Sequence, residues 1–217
     1  MQTAQNELRE SVIISSDLDE LTRIYDPSCN LAVWLREENA TVSEYTAFLV
    51  ASGSQFQQFQ KSIAISAVEN ELGKQLPEHP ARDWFIADLM QTIEMFACLF
   101  DLRSVGFRLT KLDCAMCPKF HVDRVPCRLL LNYCGGSTEW LPNHVVDRTK
   151  LGPASFGIPD EQPGLLSGKE MIQMIPTRAI ALLKGESWEG NEGFGLVHRS
   201  PGATPDNPRL LLSLDFA

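Results

Sequence analysis

The sequence predicts an α+β protein in which helices come first and short strands follow. Up to about residue 100 the apolar residues recur at helical spacing, most clearly over residues 82–100. After Gly106 the pattern changes to the alternation of half-buried strands, interrupted by turns rich in glycine and proline. This order of elements favours helices packed on a β-sandwich or barrel formed by the second half of the chain.

We expect one integrated domain with two regions, since 217 residues suffice for one sizeable core. Residues 1–104 are predicted to form a mostly helical support region, with a helix over 56–72. Residues 105–217 are predicted to form the sheet that carries the site. The stretch 142–168 is predicted to be a long loop, of the kind that often serves as a lid or binding loop.

The formal net charge of −9 argues against non-specific binding to nucleic acid or to an anionic membrane. The N-terminus lacks the pattern of a signal peptide, and no apolar run has the length of a membrane span. We therefore expect a cytoplasmic protein whose cysteines stay reduced. The sequence does not show whether the substrate is a small molecule or a protein, and it does not show the oligomeric state.

The candidate metal ligands are His121, Asp123 and His198. His121 and Asp123 are two residues apart, so on a strand their side chains project from the same face. His198 is the best third ligand in the second half of the chain. Two imidazoles and one carboxylate form the facial triad of non-haem Fe(II) oxygenases, which leaves coordination positions open.

Four of the six cysteines lie close to this pair. Cys114 and Cys117, with His121, Cys127 or Cys134, have the ligand types of a zinc site or of a redox dithiol. They also fit the role of small buried apolar residues. Cys127 and Cys134 are an odd number of residues apart (134 − 127 = 7), so without a β-bulge they face opposite sides of one strand.

Two segments resemble the 2-oxoglutarate/Fe(II)-dependent dioxygenase jelly roll. The first half of that pattern is similar to His121-Val-Asp123, a strand over 128–133 and the turn Gly135-Gly-Ser-Thr138. The second half is similar to the strand 179–185, His198-Arg-Ser-Pro201 and the strand 209–213. The cysteine-rich His-x-Asp segment also resembles a small bacterial family of unknown function.

The resemblance implies a C-terminal double-stranded β-helix, a cupin-like jelly roll, on which the N-terminal helices pack. It implies Fe(II) bound by the three candidate ligands and 2-oxoglutarate bound by Arg209, which follows His198 by 11 residues (209 − 198). Tyr133 or Asn132 would add a hydrogen bond to the co-substrate. The family often has a hydroxyl two residues after the basic residue. That position is Leu211 here, and Ser213 follows on the same strand face.

The implied activity is hydroxylation, or oxidative removal of a group, on a substrate that the sequence does not name. Two other functions stay open at this point. One is a zinc-binding or metal-homeostasis protein that uses Cys114, Cys117 and His121 on the same fold. The other is a binding module without catalysis.

Overall fold

The computed structural model describes residues 12–152, 165 and 171–217. It has a mixed α/β fold in which helices cover a large sheet. The strands are β1 (Val12–Ser15), β2 (Leu31–Trp34), β3 (Gln58–Ala64), β4 (Ser104–Leu112), β5 (Cys127–Cys134), β6 (Glu139–Leu141), β7 (Gln173–Met174), β8 (Ile180–Lys184), β9 (Val197–Arg199) and β10 (Arg209–Phe216). The α-helices are α1 (Ala40–Val50), α2 (Ile65–Gln75) and α3 (Arg82–Phe100), and short 3-10 helices span Leu18–Tyr25, Asn143–Val145 and Arg148–Lys150.

Seven strands form the large sheet, in the order β1-β2-β8-β5-β10-β4-β3. A smaller sheet has the order β7-β6-β9. β1 and β2 run parallel, and the other neighbouring strands pair antiparallel. β10 pairs with β4 along its whole length, from Arg209 opposite Leu112 to Phe216 opposite Val105. β4, β10 and β5 thus form the centre on which the site is built.

Alternation along the central strands gives the large sheet two unlike faces. One face packs on the helices and carries buried leucines: Leu129, Leu131, Leu210, Leu212 and Leu214. Helix α3 contributes buried side chains at helical spacing to the same core: Phe85, Leu89, Ile93 and Phe96. We call this the helix-side face.

The other face of β4, β5 and β10 lines a cavity that also touches β9 of the smaller sheet. We call it the cavity face. Its side chains are mostly polar and include Arg108, Thr110, Arg128, Arg209 and Ser213. The same three strands therefore contribute both to the main core and to the cavity.

The predicted mixture of helices and a large sheet is confirmed, but one boundary is corrected. Residues 58–64 of the predicted helix 56–72 form β3, because they pair in continuous register with β4, and α2 begins only at Ile65. The N-terminal region contributes β1, β2 and β3 to the large sheet, in addition to the helices. Long-range strand pairing therefore overrides the local helical periodicity at 58–64.

The predicted loop 142–168 is described only in part. Short 3-10 helices occupy Asn143–Val145 and Arg148–Lys150, whereas 153–164 and 166–168 lie outside the described residues. Residues 1–11 of the predicted N-terminal region also lie outside them. Within the described parts of the chain, no helix combines the length and the apolarity that crossing a membrane requires.

Candidate metal centre

Two histidines from distant parts of the chain face each other across an antiparallel bridge. The backbone N–H of each donates to the carbonyl oxygen of the other, both at 3.0 Å, which pairs His121 with His198. Residues paired in this way project their side chains to the same side, and the ring centroids lie 4.6 Å apart. His198 lies in β9, so the bridge joins the His121 segment to the smaller sheet.

Backbone carbonyls fix the orientation of both imidazoles. Nδ1 of His121 lies 2.8 Å from the carbonyl oxygen of Lys119, and Nδ1 of His198 lies 3.0 Å from that of Leu196. A carbonyl oxygen can only accept, so Nδ1 carries the proton in each neutral ring. The Nε2 lone pairs are then available for a metal ion.

Asp123 brings a carboxylate to the same point. Its Oδ1 lies 3.7 Å from Nε2 of His121, and its Oδ2 lies 3.4 Å from Nε2 of His198. One potential ligand atom from each residue lies within 4.8 Å of the other two. In the described part of the chain, no other group of three or more His, Cys, Asp or Glu side chains lies this close together. Two imidazoles and a carboxylate on one side suit a divalent transition metal with open positions.

The large sheet holds this carboxylate in place through Arg128. Nη1 of Arg128 donates to Asp123 Oδ2 at 2.7 Å. Its Nε and Nη2 donate to the two carboxylate oxygens of Asp215 at 2.7 and 2.9 Å. Arg128 lies in β5 and Asp215 in β10, so the candidate ligand is fixed by a charge-assisted network on the central strands.

The surroundings favour the protonation states that bind a metal. Burial lowers the pKa of His121, and the nearby His198 lowers it further. Burial alone would raise the pKa of Asp123, but the adjacent His198 and the charge of Arg128 hold this pKa at about 2. A neutral imidazole and an ionised carboxylate are the forms that coordinate metal ions.

Two glycines allow close backbone approaches beside these residues. A Cβ atom on Gly185 would overlap the carbonyl oxygen of Val125, in the segment that follows Asp123. Gly135 has a φ of +77°, and a Cβ there would lie 2.5 Å from the carbonyl oxygen of Pro208 and 2.9 Å from Cγ of Arg209. The Gly-Gly turn of the sequence therefore packs directly on Arg209.

Arg209 begins β10 and lines the same cavity as the histidines. Its side chain is fully buried, and it donates from Nη1 to Ser200 Oγ at 2.7 Å and from Nη2 to Thr138 Oγ1 at 3.4 Å. Its Nε is buried, with no acceptor among the described residues. Burial lowers its pKa to about 10, so the side chain stays charged at neutral pH. A buried guanidinium with an unfilled donor fits an anionic ligand.

The other expected co-substrate contacts on β10 lie on the same face as Arg209. Leu211 and Ser213 both line the cavity, as strand alternation predicts. The hydroxyls that contact the guanidinium are supplied from elsewhere, by Ser200 and by Thr138 of the Gly-Gly-Ser-Thr turn. The apolar Leu211 therefore does not leave this arginine without a hydroxyl neighbour.

Asn132 and Tyr133 are placed differently from the expectation. The Asn132 amide donates to the carbonyl oxygen of Gly135 at 3.2 Å, so it supports the turn. Tyr133 lies on the helix-side face, where its hydroxyl donates to Asp88 Oδ2 at 2.7 Å. This placement corrects the expectation that Tyr133 contacts a co-substrate, because neighbouring residues on a strand point to opposite faces.

The structure does not assemble the clustered cysteines into a metal group. Cys114 and Cys117 are exposed, and Cys117 lies at the cavity lining. Cys127 is fully buried on the helix-side face, where burial raises the pKa of its thiol. The expected zinc group of Cys114, Cys117 and His121 is absent from the close groups of the described residues.

A β-bulge also corrects the expected orientation of Cys134. Leu210 pairs with Cys134, but the next residue of β10, Leu211, pairs with Asn132. The extra residue in β5 turns Cys134 toward the same core as Cys127. Burial raises the pKa of the Cys134 thiol, which suits a buried apolar role.

Sequence reasoning missed the side chains that support the candidate ligands. Asp215 could have been found, since alternation along β10 places it on the face of Arg209 and Ser213. Arg128 is the polar residue at the start of a leucine-rich strand. Ser200 lies between strands, where no periodicity signals its contact with Arg209.

Solved structures show which class of protein shares this fold. A full-length Neurospora crassa protein in complex with alpha-KG and 5-formyluracil matches with a TM-score of 0.53 at 10% identity, over 94% of this chain and 83% of that chain. The same protein in complex with alpha-KG and thymine matches with a TM-score of 0.51 at 9% identity, over 94% and 85%. A prolyl-4-hydroxylase of Pseudomonas putida matches with a TM-score of 0.45 at 11% identity, over 91% and 96%. These structural neighbours are 2-oxoglutarate/Fe(II) oxygenases, and at such identities the likeness shows the fold alone.

A family model assigns the chain more narrowly. The model described as "Protein of unknown function (DUF1826)" matches residues 15–215, so the chain belongs to this family. The predicted resemblance to a family of unknown function on an oxygenase fold is thereby confirmed. No curated protein matches the sequence.

Proposed function

We propose that the protein is a non-haem Fe(II)- and 2-oxoglutarate-dependent oxygenase. The observation that carries this proposal is the convergence of His121, Asp123 and His198 beside a cavity that both histidines and the buried Arg209 line. The likeness of the fold to oxygenases adds support. We interpret the large and small sheets as the two halves of a double-stranded β-helix, with helices packed outside the large one.

The chain's own residues fit the metal. The two Nε2 atoms and one oxygen of Asp123 would bind Fe(II), with Nδ1 of each imidazole held by a backbone carbonyl. Arg128 would keep the second carboxylate oxygen of Asp123 engaged, which favours binding through one oxygen. Such a ligand set leaves positions for a chelating co-substrate and for dioxygen.

The co-substrate would be held at its distal carboxylate by Arg209. The unfilled Nε of this buried guanidinium matches an anion that arrives as a ligand, and Thr138 and Ser200 keep the group oriented. Ser213 lies further along the same face and offers a hydroxyl. With Fe(II) and 2-oxoglutarate bound, the chemistry supplied would be oxidation of a substrate C–H bond by dioxygen, giving hydroxylation or loss of a group.

The test is an anaerobic titration of the purified protein with Fe(II) and 2-oxoglutarate. We expect the weak visible charge-transfer band of the chelated co-substrate, absent with either component alone. His121→Ala should abolish it, since one of three ligands is lost. An absent band in wild-type protein that binds Fe(II) would overturn the use of 2-oxoglutarate.

A control separates loss of the site from loss of the fold. His144→Ala removes an exposed histidine from a 3-10 helix outside the proposed metal group, and it should keep the band. Elemental analysis of the same preparations distinguishes iron from zinc. One equivalent of zinc that survives in a Cys114→Ser/Cys117→Ser variant but not in His121→Ala would place zinc at the triad.

A further inference from the structure

The cavity contains a second arginine without a carboxylate partner. Arg108 lies on the cavity face of β4, and its Nε is buried without an acceptor in residues 12–152, 165 and 171–217. Its Nη1 lies 3.8 Å from Sδ of Met116, and a thioether is only a weak acceptor. No salt bridge to Arg108 exists among the described residues, so its charge has no partner comparable to Asp123 or Asp215 beside Arg128.

Thr110, two residues along the same strand face, repeats this pattern. Its side chain is only 7% exposed, and its Oγ1 has no hydrogen-bond partner among the residues that the structure describes. An unpaired buried hydroxyl is unfavourable unless a ligand or water satisfies it. Arg108 and Thr110 thus offer adjacent, unfilled donors to the same cavity.

The strand register separates this pair from Arg209. Arg108 is opposite Ser213, Thr110 is opposite Leu211, and Arg209 is opposite Leu112. Arg108 is therefore four residues along β4 from the level of Arg209, roughly 13 Å at the rise of a strand. Such a separation suits two different anionic groups at the two ends of one cavity.

The other charges of the cavity are already balanced. Arg128 pairs with Asp123 and Asp215, and Arg199 pairs with Glu139. No carboxylate side chain is among the residues that line the cavity in the described structure; Asp123 lies beside it, next to the two histidines, and is paired with Arg128. The cavity is therefore cationic in a chain with a formal net charge of −9, which favours anionic ligands there.

We propose that Arg108 and Thr110 bind an anionic group, a carboxylate or a phosphate, of the primary substrate. This inference rests on the proposed function, in which Arg209 holds 2-oxoglutarate. Met116 is 40% exposed and lines the cavity beside Arg108, so this end is next to solvent. The substrate class is thus a molecule that places an anion at Arg108 and its reacting carbon toward the metal.

The test follows the Nε–Hε resonance of Arg108 by proton–nitrogen NMR. The protein is loaded with Zn(II), a diamagnetic stand-in for iron, and with 2-oxoglutarate. It is then titrated at constant ionic strength with acetate, inorganic phosphate and neutral acetamide. We expect a saturable shift with acetate or phosphate, which identifies the kind of anion, and none with acetamide.

Variants measure how much Arg108 and Thr110 contribute to anion affinity. Arg108→Met should weaken binding of the preferred anion at least tenfold, since a hydrogen bond to a charged group is worth about 1.5–3 kcal/mol. Thr110→Val should weaken it a few-fold. Both should bind 2-oxoglutarate within twofold of wild type. Arg103→Met makes the same change of charge at an exposed position before β4, and it should change neither affinity.

Three results would overturn the inference. They are equal anion affinity in Arg108→Met and wild type, equal binding of acetamide, and loss of 2-oxoglutarate binding in Arg108→Met. If the wild type binds no 2-oxoglutarate, the proposed function fails instead. The same titration of metal-free Arg209→Met protein then judges the Arg108 site alone, because the competing guanidinium is gone.

Discussion

The helix-side and cavity faces of the large sheet are made by alternate residues of the same strands, yet they differ in whether their buried polar groups have hydrogen-bond partners. On the helix-side face the buried Tyr133 donates to Asp88, and Asp88 also pairs with Arg36 Nη1 at 2.8 Å. On the cavity face, buried atoms of Arg108, Thr110 and Arg209 have no hydrogen-bond partner within the described part of the chain. Unfilled polar groups are unfavourable in a core, so their concentration on one face marks where a ligand is expected.

This difference predicts that mutations on the two faces separate stability from binding. Apolar burial on the helix-side face stabilises the fold whether or not a ligand is present. The charged network on the cavity face orients groups that act on ligands. Substitutions on each face therefore test whether the division is real.

The largest effect is expected in the core between helix α3 and the helix-side face, for Phe85→Ala. Phe85 is fully buried, with ring centroids 5.1 Å from Tyr45 and 4.9 Å from Tyr133. Truncating a buried phenylalanine lowers the free energy of unfolding by about 3–5 kcal/mol. Urea unfolding measures this change, and Mn(II) affinity of the folded protein should stay within twofold.

Trp84→Ala is the matched control for Phe85→Ala. Trp84 is the preceding residue of α3 but is 60% exposed, so its removal should change stability by less than about 0.5 kcal/mol. Equal losses of unfolding free energy in the two variants would contradict the conclusion that the side of α3 that carries Phe85 packs in the main core.

The next effect is expected on the cavity face, for Arg128→Lys. Lysine keeps the charge but loses the planar fork that engages Asp123 and Asp215 together. Loss of such support to a metal ligand typically weakens metal affinity about 10–100-fold. Calorimetric titration with Mn(II) measures this as a change in dissociation constant, with melting temperature as a separate readout.

Arg23→Lys is the control for Arg128→Lys. Arg23 also pairs with two carboxylates, Glu20 and Asp26, but in an exposed 3-10 helix and its flank. The Arg23→Lys substitution should leave Mn(II) affinity unchanged. An unchanged affinity in Arg128→Lys would mean that Asp123 is positioned without the guanidinium fork, and the two faces would then be less distinct than proposed.

The sequence predicted the parts of the site that obey local periodicity. The spacing of His121 and Asp123 put two potential ligands on one side, and alternation along β10 put Arg209, Leu211 and Ser213 on one face. The pairing of His121 with His198 needs a contact between distant segments. Sequence reasoning chose His198 because a third ligand was needed, and the resemblance to a known family supported that choice, but no local pattern predicts the contact itself.

The failures of prediction have long-range causes. A bulge opposite Leu210 turned Cys134, and pairing with β4 made a strand of residues 58–64. The face of β5 assigned to Tyr133 depended on which side the helices cover, which no local pattern specifies. Arg108 and Thr110 fitted the alternation of β4, but their significance depends on lacking partners, a property of the folded molecule.

The smallest effect tests the paired polar group of the helix-side face, through Tyr133→Phe. Burial raises the pKa of Tyr133 well above its ordinary value of 10.0, and the charge of Asp88 raises it further. The folded protein therefore keeps a proton that the unfolded chain releases above about pH 10. The stability due to this group is present below that pH and is lost as pH rises beyond it.

Tyr133→Phe removes the hydrogen bond to Asp88, so at pH 8 it should lower the free energy of unfolding by about 1–2 kcal/mol. Above pH 10 the wild type should lose stability more steeply, so the difference between the two proteins should shrink. Tyr25→Phe, at a side chain that is 51% exposed, should show a smaller change with pH. Urea unfolding at pH 8, 10 and 11 measures both trends. A difference that stays constant or grows with pH would mean that Tyr133 ionises in the folded protein at least as readily as in the unfolded chain, and that the polar groups of the helix-side face are less well paired than those contacts indicate.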